Sequence, residues 1–131
     1  MSTHAITKFV EEDDEVVCAF YTHCDGYPTG HGKDLKEFLK DFVITAGLCI
    51  SKDHPTANGA GCLAAQVVKH FKDAPGHTYM INPNCKWSTS YTYTIKAVAD
   101  KPIILLVESL GETLYDGPIK DYEPKKDEDE S

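Results

Sequence analysis

Histidine, aspartate, cysteine and tyrosine side chains are concentrated in residues 21–32, whose sequence is YTHCDGYPTGHG. Segments this rich in glycine and polar groups usually lie at the surface, where binding and catalytic residues are common. His23, Asp25 and His31 carry the groups that general acid–base catalysis or metal binding would use. Their spacing matches no established metal signature, so the sequence predicts neither a bound metal nor a cofactor.

The same segment also has a purely structural interpretation. Asp25, Gly26 and Pro28 are residues that set turn geometry between a strand and a helix. Tyr27 would then fill a gap in the core, and no member of the segment would need a chemical role.

The start of the second predicted helix is another candidate site, because residues 58–61 have the sequence NGAG. Glycines at a helix N-terminus expose backbone N–H groups to an anion, and the helix dipole favours negative charge there. The third glycine of the dinucleotide-binding motif is missing, and close helix packing would equally explain the other two. If both glycine-rich segments lay at one end of the helix pair, they would form a pocket for a nucleotide-like molecule, lined by His23, Asp25, Tyr27, His31, Asn58 and Gly61.

Hydrophobic periodicity predicts the element order ββααββββ. Leu35 and Leu39 lie on one apolar stripe of the first helix, and Leu63 and Val67 lie on one stripe of the second. Short turns between most strands favour an α+β domain, with an antiparallel sheet of about five to six strands and two helices packed on one face. The predicted strands cover residues 6–10, 16–21, 77–81, 90–98, 103–109 and 112–115, and the helices cover 33–43 and 59–72.

The net charge of −8 comes from two segments, the acidic run at residues 11–15 and the tail at 121–131. Outside them, 10 acidic residues face 11 lysines, so the body of the chain is nearly neutral. We expect a single domain over residues 1–120 and a disordered acidic tail over 121–131. The chain contains no arginine, the usual residue for bidentate recognition of phosphate and guanine, which argues against sequence-specific nucleic-acid binding.

The sequence favours a cytoplasmic location without membrane contact. No apolar run approaches the ~20 residues that a membrane-spanning helix needs, and residues 1–4 do not begin a secretory signal. The five cysteines form no CxxC pair, which favours reduced thiols in an intracellular protein. Cys18 and Cys62 fall within apolar patterns and are predicted to lie in the core.

Trp87 is the candidate for contact with a partner protein. It lies in a turn-rich stretch, and tryptophan is favoured at protein interfaces. It could equally cap the core. The alternating strands could also support a homodimer through a sheet edge.

Residues 21–32 resemble the motif YRHWDGYPxGxG of a family of small proteins of unknown function from bacteriophages, prophages and bacteria. The similarity covers roughly residues 2–120 and includes STHAI at 2–6, LKEFL at 35–39, NGAGCLAAQ at 58–66 and YTYTI at 91–95. The chain departs from the motif at Thr22 and Cys24, where the family has arginine and an aromatic residue. The resemblance implies, by association only, a role in host takeover or counter-defence within the host cytoplasm.

Three functional hypotheses follow. The leading one is a non-enzymatic protein that binds and blocks a bacterial host protein. The first alternative is a protein that binds a small molecule or nucleotide signal between the glycine-rich segments. The second alternative is a small hydrolase that uses His23, Asp25 and His31, with or without a metal ion.

Overall fold

The computed structural model describes residues 3–47, 53–85, 87 and 89–124. These residues form eight strands and two α-helices, with a π-helical turn at Pro28–Gly32 and a 3₁₀ turn at Ile119–Asp121. The strands are β1 (Ala5–Val10), β2 (Val16–Thr22), β3 (Val43–Thr45), β4 (Thr56–Asn58), β5 (Thr78–Ile81), β6 (Tyr91–Lys96), β7 (Ile104–Ser109) and β8 (Glu112–Pro118), and the helices are α1 (Lys33–Leu39) and α2 (Gly59–Phe71).

Six strands form the main sheet in the order β5-β2-β1-β6-β7-β8. The prediction of an α+β fold with a sheet of about six strands is therefore confirmed. The sheet is mixed, however, because β1 and β6 run parallel, with Ala5 opposite Tyr91 and Val10 opposite Lys96. Short turns in the sequence predict that consecutive strands pair as antiparallel hairpins. They do not predict which strand of the sheet pairs with β1 after the chain has formed its two helices.

The segment between the two predicted helices contains most of a second, small sheet. Strands β3 and β4 pair in parallel, with Ile44 opposite Ala57, and both of these side chains are buried. Helix α1 accordingly ends at Leu39, four residues before the predicted end, and the β-branched residues that follow it enter β3. Strands of only three residues carry too little alternation to be predicted from sequence.

Both helices pack with one face of the main sheet in a single core. In β6, which lies within the strand predicted over 90–98, Tyr91, Tyr93 and Ile95 are buried and the residues between them are partly exposed. Leu35 and Leu39 of α1 and Leu63 and Val67 of α2 are buried against this face, as predicted. The prediction that Cys62 lies in the core is wrong, because it sits on the exposed side of α2.

The folded domain extends two residues beyond the predicted boundary at residue 120. Asp121 completes the 3₁₀ turn, and the side chain of Tyr122 is 2% exposed. The Tyr122 ring lies 4.9 Å from that of Tyr115, so it is part of the core. Residues 125–131, most of the predicted acidic tail, lie outside the described residues, as does Cys49.

Candidate functional site

The glycine-rich segment is a tightly bonded turn between β2 and α1. Asp25 adopts a left-handed conformation with a φ of 59°, and its carbonyl accepts a 2.9 Å hydrogen bond from the His31 N–H. The Gly26 N–H donates to the Thr3 carbonyl at 2.9 Å, and the Gly26 carbonyl accepts from the Tyr93 hydroxyl at 2.6 Å. These bonds join the segment to the N-terminal residues and to β6.

Two positions in this turn require glycine because other atoms of the protein lie close to the backbone there. A Cβ atom on Gly26 would lie 2.7 Å from the Ala5 Cβ. A Cβ atom on Gly30 would lie 2.7 Å from the Asp25 carbonyl oxygen and 2.8 Å from the Tyr27 ring. Their role is therefore to let two stretches of chain pack together, which agrees with the structural interpretation of the segment.

His31 is buried in the core, with 5% of its surface exposed. Its Nε2 shares a 2.7 Å hydrogen bond with the Thr7 Oγ1, and its ring lies 5.2–5.8 Å from the rings of Phe20, Phe71 and Tyr93. Desolvation, with a smaller contribution from His77, lowers the pKa of His31 from 6.5 to about 3. The imidazole is therefore neutral at physiological pH, and it holds the sheet and α2 together.

His23 lies on the other face of the sheet and is exposed. Its ring stacks on that of His4 at 4.8 Å, and its Nδ1 shares a 3.1 Å hydrogen bond with the Tyr21 hydroxyl. The His4 Nδ1 donates to the His23 carbonyl at 2.7 Å. Desolvation, with smaller effects of Cys24 and Tyr79, raises the pKa of Tyr21, so its hydroxyl keeps its proton.

Asp25 and Tyr27 interact with each other beside this turn. The Tyr27 hydroxyl donates to the Asp25 Oδ1 at 3.2 Å. The Asp25 side chain is exposed, and Tyr27 is half-buried against the edge of the core, as the structural interpretation predicted.

Asn58 and Gly61 lie at the opposite end of α2 from this turn. The nearest heavy atom to a Cβ on Gly61 would be the Val17 Cγ1 at 3.8 Å, near the start of β2, whereas Phe71 at the end of α2 contacts His31. Gly61 and Phe71 are separated by about 15 Å along the helix axis. The pocket that would require both segments at one end is therefore not formed.

Asn58 precedes the first residue of α2, a position at which asparagine often caps a helix. Its side chain makes no capping bond to the helix, and its Oδ1 instead accepts a 2.8 Å hydrogen bond from the Gly47 N–H. This bond supports the small sheet, since Asn58 is the last residue of β4 and pairs with Thr45 of β3. The residue has a structural partner where the sequence predicted a ligand-binding group.

The structure brings together none of the groupings that the hydrolase hypothesis needs. His31 is buried on one side of the sheet, and His23 is exposed on the other. Within the described residues, no group of three or more His, Cys, Asp or Glu side chains is placed to bind one metal ion.

An aromatic patch, formed by Tyr21, Tyr79 and Trp87 with His4 and His23 beside them, lies on the open face of the sheet. The Tyr21 ring is 5.7 Å from the Trp87 ring, edge to face, and 6.1 Å from the Tyr79 ring. Trp87 is 59% exposed and Tyr79 is 50% exposed. Of the residues in this patch, the sequence predicted a partner contact only for Trp87.

Met80 extends the patch around the edge of the sheet. It is 57% exposed and lines, together with Trp87, a shallow depression of about 670 Å³. The sequence contains only a weak signal for this aromatic patch. Strand alternation places Tyr21 and Tyr79 on the face of the sheet that the helices leave open. Their proximity depends on the pairing of β2 with β5, which puts Tyr21 directly opposite Tyr79.

No protein-family model matches this chain, and neither a curated protein nor a solved structure matches it. Neither helix in the described residues is long and apolar enough to cross a lipid bilayer. The aromatic patch is therefore interpreted from its own geometry.

Proposed function

We propose that this protein is a non-enzymatic binding protein that docks on another protein through the aromatic patch. The observation that carries the proposal is the exposure of Trp87 and Tyr79 on either side of Tyr21, with 59% and 50% of their surfaces in solvent. Tryptophan and tyrosine dominate the binding energy of protein interfaces, and contiguous exposed apolar surface on a small domain marks interaction sites.

Contacts within the patch hold the Tyr21 ring in place, so the patch loses little conformational entropy on binding. Tyr21 lies between Tyr79 and Trp87 and is held by its hydrogen bond to His23, which in turn stacks on His4. Rings fixed in this way are already ordered before a partner arrives, and preorganisation reduces the entropic cost of association. The depression between Met80 and Trp87 offers a place for a side chain of the partner.

A protein partner fits these features better than a small molecule. The proposed nucleotide pocket would need the turn at residues 23–31 and the start of α2 at one place, and they lie at opposite ends of that helix. The aromatic patch, by contrast, is open and broad. Small-molecule sites are usually concave and bury most of the ligand.

The resemblance to small phage proteins supports a bacterial host protein as the partner and the host cytoplasm as the place of action. In this proposal the protein blocks its target by covering part of the target's surface. It needs no cofactor, and the position of His23 and His31 on opposite faces of the sheet does not support the hydrolase alternative.

The test is to isolate the partner with the full-length tagged chain in a bacterial host and to compare it with two variants. Trp87→Ala removes the indole from the patch. Leu110→Ala is the matched control, because Leu110 is 87% exposed and lies at the turn after β7, four strand spacings or about 19 Å from β5.

We expect one host protein to co-purify in fixed stoichiometry with the wild-type chain and with Leu110→Ala, and to be lost from Trp87→Ala. The isolated target should also lose activity when the wild-type chain is added and keep it when Trp87→Ala is added. Retention of the same partner by Trp87→Ala would contradict the proposed docking site. A bound nucleotide without a protein partner would contradict the proposed function itself.

A further inference from the structure

Strand β5 forms one edge of the sheet, and its outward backbone groups can be identified from its pairing with β2. Thr78 to Ile81 lie opposite Thr22 to Ala19, and the next pair joins the His23 N–H to the His77 carbonyl at 2.8 Å. Hydrogen-bonded and non-bonded pairs alternate in an antiparallel ladder. The backbone groups of residues 77, 79 and 81 therefore point towards β2, and those of 78, 80 and 82 point away from the sheet.

Three of these six outward N–H and carbonyl groups are already bonded within the chain. The Thr78 carbonyl accepts a 2.9 Å hydrogen bond from the Lys72 Nζ, and the Thr78 N–H donates to the Gly76 carbonyl at 2.7 Å. The Asn82 carbonyl accepts from the Cys85 N–H at 2.9 Å. Among the described residues, Met80 alone leaves both its outward N–H and its outward carbonyl open to another strand.

Among the described residues, Lys72 is the one whose side chain bonds an outward backbone group of β5. Its backbone N–H ends α2 by donating to the Val68 carbonyl, and its ammonium group also bonds the Gly76 carbonyl at 2.8 Å. The Nζ lies 5.5 Å from the centre of the Tyr79 ring. Lysine on an exposed edge is a known means of preventing two sheets from joining. The Cys85 bond, by contrast, is part of a backbone turn and cannot be removed by a side-chain change.

We propose that Lys72 keeps β5 closed to strand addition, and that loss of its ammonium group opens β5 to a second copy of this chain. The two β5 strands would pair antiparallel about a two-fold axis at Met80. This register places Met80 opposite its own copy and Thr78 opposite the copy's Asn82, so the contact is self-complementary, as a symmetric dimer requires.

The occupant is a second copy because the exposed surface around the axis is itself apolar. Tyr79 and Met80 are 50% and 57% exposed, and pairing about Met80 would bury both in each subunit. The same pairing would cover part of the aromatic patch, so Lys72 keeps that surface accessible. The inference rests on edge geometry and does not depend on the identity of any host partner.

The test measures the molar mass of the full-length chain by size exclusion with light scattering and by sedimentation. Lys72→Gln removes the ammonium group, and Lys69→Gln is the matched control, since Lys69 is an exposed lysine three residues earlier on α2. We expect a doubled molar mass for Lys72→Gln at high concentration, with self-association about tenfold or more tighter than in the wild type or in Lys69→Gln.

A second pair of variants locates the contact. Met80→Pro in the Lys72→Gln background removes the N–H at the proposed axis and should restore the monomer, whereas Met80→Ala in that background keeps this N–H and should weaken the dimer less than Met80→Pro does. Proline is tolerated where an edge N–H faces solvent, and circular dichroism verifies that each variant is folded. Lys72→Met provides the same test with a long side chain that can pack on Tyr79, should Lys72→Gln not fold.

Two results would overturn the inference. One is a folded Lys72→Gln or Lys72→Met variant that stays as monomeric as the wild type. The other is a dimer that survives Met80→Pro, because its contact would then lie elsewhere. Retention of the host partner by Trp87→Ala, or the absence of a host partner, would affect neither result.

Discussion

His23 and His31 lie in one turn, eight residues apart, but they face opposite sides of the sheet. His31 is bonded to Thr7 and enclosed by three aromatic rings beneath α2. His23 is exposed beside Tyr21 and His4 on the face that the helices leave open. The comparison shows that one motif contributes both to the core and to the surface, so a shared chemical function cannot be assumed from shared residue type.

The largest expected effect is on stability, when His31 is removed. His31→Ala would leave a cavity among Phe20, Phe71 and Tyr93 and would deprive the Thr7 hydroxyl of its partner, at a cost of about 3–5 kcal/mol. His23→Ala, on the open face, should cost less than about 1 kcal/mol. Urea unfolding monitored by circular dichroism measures both. Equal losses in the two variants would show that the two faces do not differ in this way.

The next effect is a pH dependence of stability to which His31 makes the largest contribution. Its pKa is lowered from 6.5 to about 3 in the folded protein, so between these values the unfolded chain binds a proton that the folded chain does not. The free energy of unfolding should therefore fall as pH falls below 6.5, by up to about 1.4 kcal/mol per pH unit.

The control for this pH dependence is His31→Gln, which keeps a polar side chain near Thr7 but does not titrate. Chemical unfolding at several pH values between 7 and 4 should show a flatter profile for His31→Gln than for the wild type. A wild-type slope in His31→Gln would assign the pH dependence to other groups.

The sequence predicted regular elements well where the signal is local. The end of α2 was predicted within one residue, and β6 lies within the strand predicted over 90–98. The parallel pairing of β1 with β6 could not be predicted, because it joins strands that are far apart in the chain. The same limit applies to the candidate site, since the burial of His31 and the proximity of Tyr21 to Trp87 both depend on tertiary contacts.

The glycines on each side of His31 give a local indication in the sequence that this histidine is buried. Small residues at 30 and 32 allow the chain to pass close to other groups, which favours burial of the residue between them. Glycine-rich sequence alone does not distinguish that role from ligand binding. Gly61, which was grouped with them, borders nothing closer than the Val17 side chain.

Alanine substitutions at Gly26 and Gly61 test whether close packing requires glycine at the first position and not at the second. Gly26→Ala would place a methyl group 2.7 Å from the Ala5 Cβ, and we expect a loss of about 1–3 kcal/mol. Gly61→Ala adds a methyl group in a helix with space around it, so it should be neutral or stabilise by up to about 1 kcal/mol. Thermal unfolding of both variants measures the pair. Destabilisation by Gly61→Ala would indicate an unrecognised close contact at the start of α2.

The smallest expected effect on stability belongs to the open face. Trp87→Ala removes an edge-to-face contact with Tyr21 but leaves the core intact, so the free energy of unfolding should fall by about 1 kcal/mol or less. Because Trp87 is the only tryptophan in the chain, its fluorescence reports on this face alone. Its emission maximum should move little when urea unfolds the wild-type protein, since the indole is already 59% exposed.

Binding of a partner protein should instead move that emission to shorter wavelength, because the indole would leave water while the fold stays unchanged. The His31→Ala variant separates the two signals, since its lower stability should appear in circular dichroism with almost no change in the emission maximum. A large shift of the wild-type emission on unfolding would contradict this account, because it would mean that Trp87 is enclosed in the native protein. The face of the sheet that the helices cover and the open face would then differ less in side-chain burial than the structure indicates.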